Sequence, residues 1–156
     1  MKGPALPASQ TSVLIYNRFV VANNADESKV LARTGTAAAD LNNGELWKSF
    51  TAMALPDSGY GPVFLAKLTG PGVKAANSIG LWAMDLNENV RLVVQTGKAV
   101  SVNGANKTVT LITTLGAAKD SPGEGRYVDL LGNISAVLTF DDHSSALVHF
   151  GMPTAP

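Results

Sequence analysis

Residues 80–97 read Gly80-Leu81-Trp82-Ala83-Met84-Asp85-Leu86-Asn87-Glu88-Asn89-Val90-Arg91-Leu92-Val93-Val94-Gln95-Thr96-Gly97. The pattern is that of a β-hairpin. Leu81-Trp82-Ala83-Met84 is one arm, and residues 85–89 form a polar connection. Residues 90–95 are the other arm, with Val90, Leu92 and Val94 alternating onto one face. Pieces of this stretch return on both sides of it, and that return decides the fold class.

Before the hairpin, residues 11–21 carry Val13, Leu14, Ile15, Tyr16, Phe19, Val20 and Val21, the β-branched and aromatic content of a strand. Residues 23–28 are polar and predict a turn. Residues 29–34 predict a second strand, stopped by Gly35. Residues 36–45, with Ala37, Ala38 and Ala39, form either a short helix or a loop, since isolated short helices are marginal. Residues 46–55 predict a strand in which Phe50 falls out of phase with Trp47 and Met53, calling for a bulge or a twist. Residues 63–68 predict a strand, and residues 69–78 an exposed loop.

After the hairpin, Val100 and Val102 alternate ahead of an Asn103-Gly104 turn. Residues 108–115 predict a strand, residues 126–130 a short one, and residues 134–140 and 145–150 a last hairpin. Domain organisation follows: an extended arm over residues 1–10, one all-β domain over 11–150, and a tail over 151–156.

The repeat is carried by two Thr-Gly dipeptides. Thr34-Gly35 and Thr96-Gly97 each close a strand, 62 residues apart. After each comes a loop and then three further strands. The unit is four antiparallel strands, and the chain holds the end of one unit, a complete unit and most of a third. Tandem four-stranded units are the sequence signature of β-propeller-like blades, about two per chain. A ring completed by oligomerisation, a fragment of a longer repeat protein, and a β-sandwich or irregular barrel all satisfy this pattern.

Residues 70–85, Gly70-Pro71-Gly72 through Gly80-Leu81-Trp82-Ala83-Met84-Asp85, followed by Leu92-Val93-Val94-Gln95-Thr96-Gly97, resemble the bacterial choice-of-anchor tandem-repeat proteins with NxxGxxAF repeats. The run Asp129-Leu130-Leu131-Gly132-Asn133-Ile134-Ser135-Ala136 keeps the glycine and the spacing of that motif, with Asp in place of Asn, Ser in place of Ala and Ala in place of Phe. The resemblance implies export to the bacterial surface or medium, β-repeat architecture and a structural or adhesive role. It transfers no catalytic residue. Residues 1–10 hold no apolar core of signal-peptide length, so the expected export signal is not within this chain.

Composition limits the function classes. Twelve basic and twelve acidic residues cancel, and no basic run provides a nucleic-acid footprint. A near-neutral surface favours self-association. No apolar run reaches the ~20 residues of a membrane helix, which argues against membrane insertion by a helix. The absence of cysteine excludes disulfides and thiolate chemistry.

Candidate sites are sparse. Asp85, Asn87 and Asn89 match the first half of a calcium loop, but Val90 stands where that loop needs Gly, and Thr96 where it needs Glu. His143 and His149 with Asp141 or Asp142 supply few metal ligands. Ser144 and Ser145 beside His143 and Asp142 are too close in sequence to form a catalytic triad. The acids Asp57, Asp85, Asp129 and Glu124 suit surface solubility. Tyr60, in a Gly-Pro turn, and Trp82 are the aromatic candidates for contact with a glycan or peptide. Trp47 and Trp82 occupy strand positions better suited to a core. The expectation is a non-enzymatic module without a cofactor, acting as a homo-oligomer, with glycan or peptide binding as the alternative.

Overall fold

The computed structural model describes residues 11–20, 24–56, 61–116, 127–129 and 131–153. The chain is all-β, and every strand pairing is antiparallel. β1 (Val13–Val20) and β2 (Ala25–Arg33) form a hairpin. β3 (Leu46–Ala54), β4 (Val63–Thr69), β5 (Ile79–Met84) and β6 (Val90–Gln95) form a four-stranded sheet in chain order. β7 (Ala99–Val102), β8 (Ala105–Thr114), β9 (Ile134–Phe140) and β10 (Ser145–Phe150) form a second one, also in chain order.

The sheets stack. Phe64, Ala66, Leu68, Trp47 and Trp82 project from one face of the β3–β6 sheet onto Leu14 and Ala32 of the hairpin. Val63, Leu65, Leu81, Ala83 and Val94 project from its other face onto Val109, Ile112, Ala136, Leu138 and Phe140 of the β7–β10 sheet. The middle sheet is therefore apolar on both faces, and β4 reads as a nearly continuous buried run. β9 has one face on the core, and its burial alternates residue by residue.

Two corners of the fold are built from the same bonds. The Gly35 amide donates to Trp47 O (2.7 Å), Trp47 N to Thr36 O (3.0 Å), and Thr36 N to Arg33 O (3.2 Å). At the second corner Gly97 N donates to Val109 O (2.7 Å), Val109 N to Lys98 O (2.9 Å), and Lys98 N to Gln95 O (3.3 Å). Both glycines have φ +78°, the left-handed region that glycine enters without a Cβ penalty. The preceding threonine latches the hairpin beside it. Ser12 N donates to Thr34 Oγ1, and Ile79 N donates to Thr96 Oγ1. Each hydroxyl in turn donates to the carbonyl of the same residue. Bulged residues keep the same spacing: Leu31 and Val93 opposite β1 and β5, and Lys48 and Thr110 opposite β4 and β9.

The structure decides one open alternative of the sequence reading and differs from that reading in one other place. Residues 36–45 form a loop rather than a helix. Ala37 bridges Leu46, Asp40 adopts φ +60°, and the loop closes through Ala38 N donating to Glu45 O (2.9 Å). Tertiary partners overrule the alanine run. β2 starts at Ala25, so most of the polar stretch read as a turn is strand; its edge residues are exposed and keep backbone pairing with Asn17 and Arg18.

A candidate interaction surface

The sequence candidates do not converge. Trp82 is fully buried, and its indole N–H donates to Ala39 O (3.1 Å). It meets Trp47 edge-on at 4.5 Å between ring centroids and stacks on Phe64 at 6.2 Å. Gly80, two residues earlier, leaves the space that its ring fills; a Cβ there would lie 2.5 Å from the Trp82 ring. With no ring face open, Trp82 is a core residue and offers no ligand contact. Tyr60, Asp57 and Glu124 lie outside the described residues.

The Asp85 turn is organised inward. The Asp85 carboxylate accepts the amides of Asn87 (2.9 Å) and Asn89 (2.8 Å) and the Arg91 Nε (3.1 Å). Burial pushes this carboxyl up. The donors from Asn89, Arg91 and Asn87 outweigh that effect and hold it below the usual carboxylate range. Its oxygens are already committed to N–H donors, and the Asn87 and Asn89 side chains are exposed, so the Asp85, Asn87, Asn89 array is a hydrogen-bonded turn and not a cation cradle. Arg91 also reaches Asp40 (3.3 Å), and Asp40 accepts the Leu92 amide (2.9 Å). This network fastens the 36–45 loop to β6.

Asp129 makes the same turn. Leu131 N and Asn133 N donate to Asp129 Oδ1, and the Asn133 side-chain amide donates to Oδ2. That side-chain bond leads the lowering of the Asp129 carboxyl below its ordinary value.

The two histidines do not meet. His143 sits in the β9–β10 turn at φ +64°, while His149 pairs with Ser135 at the far end of that hairpin. Four residues of strand separate the two levels, about 13 Å. Asp142 is held by Lys107 Nζ (2.7 Å) and the Ser144 hydroxyl (2.6 Å), and these bonds depress its carboxyl strongly, with Lys107 leading. Ser144 thus donates to an acid rather than to a histidine. Among the described residues no three His, Asp or Glu side chains gather as a metal site.

Sequence reasoning missed the contact of Ser135 Oγ with His149 Nδ1 (3.0 Å), because a cross-strand pair is visible only once the register is known. The pair lies on the open outer face of the β7–β10 sheet.

What remains is apolar surface. A groove of about 320 Å³ runs between β1 and β3, lined by Val13, Leu14, Phe50, Met53 and Phe64. Ile15 and Val30 face each other across the hairpin on its outer side, 57% and 53% exposed. Leu147, 58% exposed, and half-buried Val137 face each other on the outer side of the β7–β10 sheet. Among the described residues no strand pairs with the other edge of β1 or of β10. The chemistry that this surface offers is apolar and backbone contact.

No curated protein and no solved structure matches the chain. A family profile does match, over residues 9–147, and by that match the chain belongs to a family of unknown function (DUF7453).

Proposed function

We propose that the protein is a non-enzymatic structural module that acts by self-assembly, built from propeller-like four-stranded units joined at the Thr34-Gly35 and Thr96-Gly97 corners. The observation that carries this reading is the pair of apolar cross-strand contacts left on open outer faces, Ile15–Val30 and Val137–Leu147, with the outer edges of β1 and β10 unpaired among the described residues. Exposed sheet edges and contiguous apolar surface are association sites unless something covers them. The balanced charge places no electrostatic barrier against copies meeting.

The likeness to choice-of-anchor repeat proteins supports a surface or extracellular setting in bacteria, and the absence of cysteine fits an exported and a cytosolic protein equally. Chromatography coupled to light scattering at micromolar concentration tests the reading. Assembly predicts a mass above the 16.2 kDa of one chain. A compact monomer overturns it.

A further inference from the structure

We infer that copies of this chain stack head to tail, the outer face of the β7–β10 sheet of one copy docking on the outer face of the β1–β2 hairpin of the next. This rests on the assembly reading above and specifies its surfaces.

The argument comes from register. Leu68 N donates to Ser78 O and Phe140 N donates to Ser144 O, so β4–β5 and β9–β10 are in the same phase. The outer cross-strand pair Val137–Leu147 then stands where the middle sheet has Leu65–Leu81, which is buried against the next layer. The bulges at Leu31 and Val93 likewise put β1–β2 in phase with β5–β6. The exposed pair Ile15–Val30 stands where the middle sheet has Trp82–Leu92, packed against the preceding layer.

Within the chain, each layer contact joins one kind of face to the other. Leu14–Ala32 of the hairpin meets the Trp82–Leu92 face of the middle sheet. Leu65–Leu81 of the middle sheet meets the face of the third sheet that carries Val148, the residue in phase with Trp82. One face of each kind is left over: Val137–Leu147 at one end and Ile15–Val30 at the other. A second copy supplies to each free face the kind of face that covers its counterpart inside the chain, so the intermolecular contact continues the internal interface.

The surroundings suit burial. Thr113, Ser135 and Thr139 flank Val137–Leu147, and Ile15–Val30 lies between Asn17–Ser28 on one side and Val13–Arg33 on the other, so of these flanking positions only Arg33 carries a formal charge. Interface cores are depleted in such charges. The contact is heterologous, so its geometry yields a closed ring or an open filament.

Two variants test it, Leu147→Asp and Ile15→Asp, each at a side chain already more than half exposed in the single chain. A carboxylate buried at this contact raises the dissociation constant by about 100-fold, so each variant alone runs as a monomer where the wild type assembles. Each keeps one intact end. An equimolar mixture therefore forms a one-to-one complex and grows no further.

Near-UV circular dichroism of the Trp47–Trp82 cluster checks the fold, and Leu147→Gln with Ile15→Gln repeats the test without a charge. Wild-type assembly undisturbed by either substitution overturns this inference and leaves the assembly reading standing. A mixture that stays monomeric also overturns it. A monomeric wild type overturns both.

Discussion

The middle sheet and the β7–β10 sheet share a hydrogen-bonded frame and differ in what lies on them. Leu81 and Leu147 occupy matching places in that frame, yet Leu81 is fully buried and Leu147 is mostly exposed. Each sheet's sequence follows its number of covered faces. β4, covered on both sides, runs Val63-Phe64-Leu65-Ala66 without a polar break. β9, covered on one, alternates Ile134, Ala136, Leu138 and Phe140 with Ser135, Val137 and Thr139. Backbone pairing thus sets the frame, and burial sets the composition.

The contrast is sharpest where the middle sheet is densest. Trp82→Ala is expected to cost about 3–5 kcal/mol, from lost burial, lost ring contacts and an orphaned Ala39 carbonyl. Urea denaturation measures it, and a cost under about 1 kcal/mol would mean that the cluster does not hold the hairpin to the sheet.

The matched leucines come next. Leu81→Ala should lose about 2–5 kcal/mol. Leu147→Ala should stay within about 0.5 kcal/mol when measured dilute enough to keep copies apart. Equal costs would break the comparison.

Two left-handed glycines extend it to the turns. Gly97 lies at φ +78°, and an added Cβ would sit 3.0 Å from Asn77 Cβ and 3.1 Å from Ala76 O. Gly104 lies at φ +81° with nothing within 4 Å. Alanine at Gly104 should cost about 1–2 kcal/mol for the left-handed backbone alone, and alanine at Gly97 should cost more. Thermal melts of the two variants rank them.

The smallest effect concerns pH. The Asp85 carboxyl lies below its ordinary value in the folded chain, so the folded state binds fewer protons there than the unfolded chain does. Its contribution is present above about pH 4, the unfolded value, and is lost as pH falls through the folded one. Asp85→Asn should flatten the acid limb of the stability curve below about pH 4. An unchanged limb would show that the bonds to Asn87, Asn89 and Arg91 carry no linkage.

Much of the fold was legible in the sequence because the signals are local. Alternation marked β9 and β10, Asn103-Gly104 marked the β7–β8 turn, and the two Thr-Gly dipeptides marked the corners. The out-of-phase Phe50 announced the bulges of β3. The 36–45 loop was ambiguous because its partners, Trp82, Arg91 and Leu92, lie about 50 residues downstream. The strand position of Trp82 suits a core and leaves ligand contact open in the sequence, and the stacking of layers closes that alternative by covering both sides of its sheet. Composition gave no hint that His149 pairs with Ser135, which depends on strand register.

Hydroxyl-radical footprinting across a concentration series tests most directly whether the two outer faces are layer faces awaiting a partner. Leu86 and Leu131, 71% and 77% exposed in turns, serve as internal controls. Head-to-tail stacking predicts that Ile15 and Leu147 become protected together as concentration rises while Leu86 and Leu131 stay fully labelled. Constant labelling of Ile15 and Leu147, or equal protection of all four, would contradict it.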